Sequence, residues 1–161
     1  MHHGARRSIG IAVLSLATMA IMALPAVGAF STIEGNNGNN TLNGTGGRDR
    51  ILGKGGNDTL TGFGAKDLLV GGTGNDRAAG SSSSDEIRGG KGDDRLMGGE
   101  GNDLINGGPG EDVFMGGPGA DDIRAKDSAR DDVNCGDGNS DRATVDPGDT
   151  VVWCETVRVI L

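Results

Sequence analysis

The chain has almost no aromatic residues: three Phe, one Trp and no Tyr among 161 residues. A core built around large aromatic side chains is therefore excluded. Histidine and cysteine are equally scarce, at two residues each, and neither a G-x-S-x-G nor an H-E-x-x-H motif occurs. Because the common hydrolase and metalloprotease sites need those residues, the sequence predicts a protein that is not an enzyme.

Basic residues are also few, since 15 Lys and Arg stand against 23 Asp and Glu, a formal net charge of -8 at pH 7. All the acidic residues follow residue 29, whereas Arg6 and Arg7 precede it. Nucleic acid is therefore not an expected partner, because its phosphates attract basic surfaces. Acidic chains with few aromatics are often disordered, so the order of the residues must decide between disorder and a fold.

Residues 1–29 have the pattern of a secretory signal peptide. Arg6 and Arg7 form a positive n-region, Ile9 to Leu24 is an apolar run, and Val27 and Ala29 are small residues that suit cleavage. The run is shorter than the ~20 residues of a membrane-spanning helix, so a membrane anchor is the weaker alternative. The sequence thus predicts an extracellular protein.

Glycine, by contrast, is abundant, with 32 residues, and it recurs at a strict period. From Gly35 to Arg124 the sequence divides into ten consecutive nonapeptides without an insertion. Position 1 is always Gly, position 6 is Asp in nine repeats and Asn40 in the first, and position 8 is apolar throughout. A disordered tail has no reason to keep this register. The position-8 residues are Leu42, Ile51, Leu60, Leu69, Ala78, Ile87, Leu96, Ile105, Phe114 and Ile123.

The frame G-G-x-G-x-D-x-U-x, with U apolar, resembles the calcium-binding RTX, or haemolysin-type, repeat over residues 35–124. The resemblance implies an all-β fold, a parallel β-roll in which a six-residue turn and a three-residue strand alternate. Two repeats then complete a coil of 18 residues, and ten repeats give about five coils. Residues 30–34 are predicted to be a lead-in, and residues 125–161 degenerate repeats and a C-terminal cap. The whole arrangement is similar to that of small secreted calcium-binding proteins of actinobacteria.

The position-6 aspartates are the predicted calcium ligands. Side chains 18 residues apart would stack at the roughly 4.8 Å spacing of neighbouring strands, where like charges repel. Ca²⁺ between successive carboxylates would reverse that repulsion, because it accepts about six to eight hard oxygens. One predicted row is Asn40, Asp58, Asp76, Asp94 and Asp112, and the other is Asp49, Asp67, Asp85, Asp103 and Asp121.

Main-chain carbonyls of the glycine-rich turns are expected to complete these sites, because glycine turns tightly at positive φ. The sites are not expected to be equal, since Ala65 and Ser83 replace the glycine of position 4, and the sites of Asp67 and Asp85 are the weaker ones. The predicted carbonyl donors are Gly71, Gly74, Gly89, Gly92, Gly98, Gly101, Gly107, Gly110, Gly116 and Gly119.

The single apolar row is thin for the length of chain that it has to order. We therefore expect a chain that is largely disordered without calcium and that folds as several Ca²⁺ ions bind.

After residue 124 the nine-residue frame fails, but Asp-x-apolar triplets continue, and four apolar residues are available to cover the open end of the roll. In a secreted protein the two cysteines, Cys135 and Cys154, predict one disulfide. The triplets are Asp121/Ile123, Asp131/Val133, Asp141/Ala143 and Asp149/Val151, and the predicted cap residues are Trp153, Val157, Val159 and Ile160.

The function predicted first is that of a secreted, non-enzymatic calcium-binding protein with a structural, adhesive or cell-surface role. Its partners, besides Ca²⁺, would be matrix, cell-surface or polysaccharide molecules. Two alternatives stay open: a detached calcium-dependent module of an extracellular hydrolase, and a roll that binds glycan or ice through strand positions 7 and 9.

Overall fold

The computed structural model describes residues 30–161, so the predicted signal peptide over residues 1–29 lies outside the described residues. The described chain contains 15 strands; it has no helix, and hence none that could cross a membrane. The strands are β1 (Ser31–Glu34), β2 (Thr41–Asn43), β3 (Asp49–Gly55), β4 (Thr59–Phe63), β5 (Leu68–Thr73), β6 (Arg77–Ser82), β7 (Glu86–Lys91), β8 (Arg95–Glu100), β9 (Leu104–Asn106), β10 (Val113–Met115), β11 (Asp122–Ala125), β12 (Asp132–Asn134), β13 (Arg142–Val145), β14 (Thr150–Val152) and β15 (Thr156–Val159).

The odd-numbered strands form an eight-stranded sheet and the even-numbered strands a seven-stranded sheet, and every pairing is parallel. Each coil contributes one strand to each sheet, which makes a solenoid of about seven coils. The all-β parallel β-roll predicted from the sequence is thus confirmed. The coils outnumber the five expected from the ten repeats, because residues 31–34 and the chain beyond residue 124 also form strands.

The coil length is constant through the repeats and changes after them. Neighbouring strands pair residues that are 18 apart, as Leu42 with Leu60 and Ile87 with Ile105. The offset then becomes 19 between β10 and β12, and 20 between β11 and β13. In the last pairings the offset falls to 18 and 14, so the turns change in length while the stacking of the strands is preserved.

A narrow core runs between the two sheets. All ten position-8 side chains are buried, as predicted, and the largest of them, Phe114, is fully enclosed. Ile33 of β1 and Val133 and Ala143 of the later triplets extend this row, while Val151 is only partly buried against it. Within the repeats each strand contributes one apolar side chain to this row, so each coil rests mainly on its two neighbours.

Position 4 of the turns keeps positive φ whether or not it is glycine. Position 4 has positive φ at Gly74 and Gly92, at 116° and 120°, and also at Ala65 and Ser83, at 65° and 80°. The backbone thus keeps the turn, at the cost that a side chain experiences in the left-handed region. The serines do not open the sixth repeat, because Ser81 and Ser82 still pair with Gly99 and Glu100 of the next coil.

The predicted disulfide joins Cys135 to Cys154 and ties the last turn to the preceding coil. The predicted cap residues are only partly enclosed, since Trp153, Val157 and Val159 are 72%, 45% and 53% exposed. Val157 and Val159 pair with Ala143 and Val145 of the preceding coil, which are buried. That this last coil acts as a cap stays a prediction.

We expect Ala65→Gly to stabilise the calcium-loaded roll by about 1 kcal/mol, because it relieves the strain of a side chain at positive φ. Ala79→Gly, in strand β6 outside the positive-φ set, is the matched control and should destabilise by a similar amount. Urea unfolding in millimolar Ca²⁺ measures both. Equal destabilisation by the two changes would contradict the strain at Ala65.

Candidate metal centre

The position-6 aspartates stand where each turn meets the following strand, and they are buried. Asp58, Asp76 and Asp94 directly precede β4, β6 and β8, and each is only 1% exposed. The other position-6 aspartates are as deeply enclosed, at 1–2%. The two rows predicted from the 18-residue spacing are therefore present, with the carboxylates inside the roll. The sequence had not predicted that burial.

From Asp58 to Asp121, one carboxylate oxygen of each position-6 aspartate accepts an N–H of the preceding coil. The Asp58 N–H donates to Asp76 Oδ1 at 2.7 Å, and the Asp76 N–H donates to Asp94 Oδ1 at the same distance. The other row repeats the pattern, for instance from Asp85 to Asp103 at 2.7 Å. A continuous ladder of side-chain acceptors thus links successive coils beside the strand ladders.

The second carboxylate oxygen has no hydrogen-bond partner. From Asp58 to Asp121 this atom is Oδ2, whereas in Asp49 it is Oδ1, because Oδ2 there accepts the Thr45 N–H. An unpartnered buried carboxylate oxygen is costly, and here the cost recurs in every coil. An unpartnered buried oxygen that recurs in every coil requires an explanation, such as a bound cation.

The unpartnered oxygens face small spaces that exist only because position 1 is glycine. A methyl group on Gly89 would lie closer than 3.0 Å to both Asp94 Oδ2 and the Gly107 carbonyl oxygen. Each space therefore brings together one carboxylate oxygen and one carbonyl oxygen of the next coil. The predicted carbonyls that face such spaces are those of Gly71, Gly89, Gly98, Gly107 and Gly116.

Phe114 makes one of these spaces different from the others. A methyl group on Gly107 would meet Asp112 Oδ2 and Phe114 Cζ, so a phenyl ring stands where a carbonyl oxygen lies elsewhere. Asp112 Oδ2 consequently has a more apolar surrounding than the other unpartnered oxygens.

The predicted position-4 carbonyls are arranged differently. Those of Gly74, Gly92 and Gly101 face the α-carbon of the glycine at the same position in the next coil, and that of Gly119 accepts the Asn139 N–H at 3.2 Å. The structure therefore brings the position-1 carbonyls, rather than these, to the carboxylate oxygens. Gly110 donates its N–H to Asp127 Oδ2 at 2.7 Å.

Position 5 carries a second ladder that the sequence reasoning missed. The Asn75 N–H donates to Asn57 Oδ1 at 2.9 Å, and the Asp93 N–H donates to Asn75 Oδ1 at 3.1 Å. The ladder begins at Asn39 and continues to the N–H of Glu111. The recurrence of Asn or Asp every 18 residues at this position was the signal that could have revealed it.

From Asp58 to Asp121, burial raises the pKa of the row carboxyls above the ordinary value of 3.8. The pKa of Asp94 rises to about 7 and that of Asp112 to about 8, because burial disfavours the charged form and neighbouring carboxylates add repulsion. The hydrogen bond that each accepts from a backbone N–H acts in the opposite direction but is the weaker effect. The rows are thus electrostatically unfavourable when fully ionised and alone.

The aspartates beside the altered turns keep the common geometry. Asp67 Oδ1 accepts the Asp49 N–H and Asp85 Oδ1 accepts the Asp67 N–H, both at 2.7 Å, and both Oδ2 atoms are unpartnered. Weaker calcium binding at these two residues stays a prediction, and the basis that the structure offers for it is the strain at Ala65 and Ser83.

Two aspartates outside the ten repeats continue the rows. Asp131 and Asp141 are fully buried, and their Oδ1 atoms accept the N–H groups of Asp112 and Asp121, at 2.8 Å each. In these coils the inward residues at the place of position 1 are Ala125 and Cys135 rather than glycine, so their side chains occupy room that the glycines leave open.

The residues present fit a hard divalent cation, because the unpartnered atoms are carboxylate oxygens and the groups facing them are mainly carbonyl oxygens. Within residues 30–161, no group of three or more His, Cys, Asp or Glu side chains has the arrangement of a metal site. Any cation would therefore be held by carboxylates together with main-chain carbonyls.

Comparison with protein families decides the relationship. The family model of the RTX calcium-binding nonapeptide repeat, in four copies, matches residues 31–60, 61–96 and 88–123. The chain belongs to this family. RTX repeats bind calcium ions and form β-rolls, in agreement with the fold and with the oxygen-lined rows. No curated protein matches the chain closely enough to be reported as a relative.

The raised pKa values predict that the calcium-free RTX roll loses stability as the pH rises. Between the ordinary pKa of 3.8 and the folded values of about 6 to 8, the folded state holds protons that the unfolded state has released. The free energy of unfolding therefore decreases with increasing pH in that window. In metal-stripped buffer, the far-UV circular dichroism signal of strands should be larger at pH 5.5 than at pH 8.

The same comparison in millimolar Ca²⁺ is the control, and it should show a smaller loss of strand signal, because cation binding requires ionised carboxylates. A calcium-free strand signal that grows from pH 5.5 to pH 8 would contradict the burial of these carboxyls.

Proposed function

We propose that this RTX protein is a secreted, non-enzymatic calcium-binding protein whose roll folds as the aspartate rows bind Ca²⁺. The observation that carries the proposal is the row of buried, unpartnered carboxylate oxygens from Asp58 to Asp121, which face spaces that a side chain at position 1 would fill. Bound Ca²⁺ would supply the positive charge that these rows lack.

The ligands that we propose are the position-6 aspartates together with turn carbonyls. Among the carbonyls, those of position 1 are the best supported, because they face the unpartnered oxygens directly. The position-4 carbonyls stay in the proposal as further Ca²⁺ ligands from the neighbouring part of the turn. The proposed aspartates are Asp49, Asp58, Asp67, Asp76, Asp85, Asp94, Asp103, Asp112 and Asp121.

Folding is coupled to binding in this proposal because the chain's own contacts are limited. The inward row is one residue wide, and most turns place a residue in a left-handed conformation. With the carboxylates ionised, ordering one coil brings its charges against those of the next coil. Neutralising a row therefore favours several coils at once, which makes cooperative folding the expected result.

Secretion is supported by the signal-peptide pattern of residues 1–29 and by the Cys135–Cys154 disulfide, since disulfides persist in oxidising compartments. A structural, adhesive or cell-surface role suits such a protein better than recognition of ice or glycan by the flat faces. Thr41 and Thr59 are neighbours on the outer face of one sheet, but the next residues in that row are Arg77 and Arg95. The regular threonine array of a flat binding surface is thus interrupted.

Asp94→Asn tests the proposed ligand role. We expect fewer bound Ca²⁺ ions per chain and a calcium midpoint for folding that is raised about tenfold, because a hard anionic ligand is lost. The neutral side chain should at the same time leave the calcium-free chain no less structured. Isothermal titration calorimetry gives the stoichiometry, and circular dichroism gives the midpoint.

Asp93→Asn is the matched control, since Asp93 is exposed and accepts the Glu111 N–H through Oδ1, which Asn can also do. Its stoichiometry and midpoint should stay close to those of the parent chain. Identical effects of the two substitutions would sink the assignment of Asp94 as a ligand.

A further inference from the structure

The C-terminal end of the roll contains an open cleft that the calcium sites do not use. Its volume is about 490 Å³, and it lies between the turn that follows β12 and the turn that follows β14. The residues that line it are Gly136, Asp137, Gly138, Trp153, Cys154 and Glu155.

The cleft exists because two stacked turns differ in length. β12 and β14 are in register at Asn134 and Val152, and β13 and β15 are in register at Arg142 and Thr156. Seven residues connect Asn134 to Arg142 in the coil of β12 and β13. Only three connect Val152 to Thr156 in the coil of β14 and β15. The short turn after β14 therefore cannot cover the long turn after β12. The Cys135–Cys154 disulfide holds the short turn in this position.

Trp153 lines this cleft with an exposure and a backbone conformation that packing does not explain. It is the only Trp of the chain, it is 72% exposed, and its φ is 59°. Positive φ is unfavourable for a bulky residue, and exposure of an indole provides no burial in return. An exposed aromatic face in a concave site is an arrangement suited to a ligand that stacks on it.

The charges of the cleft have one sign. Asp137 and Glu155 are its two charged residues, and neither takes part in the three salt bridges found within residues 30–161. Glu155 is held in place, because its Oε2 accepts the Asp141 N–H at 2.8 Å. A cationic group is therefore the complementary ligand, and the net charge of -8 would draw it toward the protein.

We propose that this cleft binds the arginine side chain of a partner polypeptide. A guanidinium is planar, so it can stack on the Trp153 indole while its N–H groups donate to the carboxylates of Asp137 and Glu155. An ammonium has no planar face to stack and is the less suitable cation. The interaction uses none of the position-6 aspartates, although Glu155 accepts the Asp141 N–H as a carboxylate of the row does.

The single tryptophan makes the proposal directly measurable. The calcium-loaded full chain is titrated with N-acetyl-arginine amide while the Trp153 indole N–H resonance and the fluorescence are followed. We expect saturable changes at millimolar ligand, because the contacts are few and exposed. N-acetyl-citrulline amide, which has the same shape without the charge, should bind at least about tenfold more weakly.

Substitutions separate this site from a surface effect. Asp137→Asn should weaken binding of the arginine amide by about threefold or more, and Trp153→Leu, followed through the Gly136 and Gly138 amide resonances, should weaken it similarly. Asp93→Asn, which removes an exposed carboxylate elsewhere, should leave the affinity unchanged. Circular dichroism in Ca²⁺ verifies that each variant keeps the roll.

Equal binding of the arginine and citrulline amides would overturn the proposal, as would saturation by a neutral sugar such as galactose without any response to arginine. Displacement of the arginine amide by additional Ca²⁺ at constant ionic strength would also overturn it, because it would assign the two carboxylates to the metal instead.

Discussion

Burial of two rows of carboxylates is the interaction on which the rest of this structure depends. From Asp58 to Asp121, each row aspartate uses one oxygen to accept an N–H of the preceding coil, at 2.7 to 2.8 Å, and these bonds link the coils in register. The same bond places the second oxygen inside the roll, without a partner. The ladder that aligns the coils thus also creates a repeated electrostatic cost, which calcium binding in this family can offset.

The glycines and the thin core follow from that arrangement. A side chain at position 1 would occupy the space that Asp94 Oδ2 shares with the Gly107 carbonyl, so only glycine is compatible with it. The sheets can then approach closely, and one inward side chain per strand is enough to fill the space between them. Where the rows leave the repeat frame, the Cys135–Cys154 disulfide and side chains such as Ala125 replace the glycine-lined spaces.

Much of the roll could be predicted from the sequence, because a period of nine residues fixes the turn, the strand and the inward position locally. The buried row from Leu42 to Ile123 follows from that period, and the 18-residue pairing is what the resemblance to the RTX repeat implies. The coils after residue 124 could not be placed as well, since the offset changes to 19 and 20 residues and only contact with the preceding coil determines where each strand lies. The orphan oxygens and the exposure of Trp153 depend on neighbours in other coils, which no local pattern reveals.

Far-UV circular dichroism of the full, disulfide-bonded chain, titrated with Ca²⁺ from chelator at pH 7.5, tests the coupling of folding to the carboxylate rows most directly. We expect the spectrum of a largely disordered chain in chelator and a cooperative conversion to a β-strand spectrum as Ca²⁺ is added. A β-strand spectrum that is the same in chelator and in millimolar Ca²⁺ would contradict that coupling.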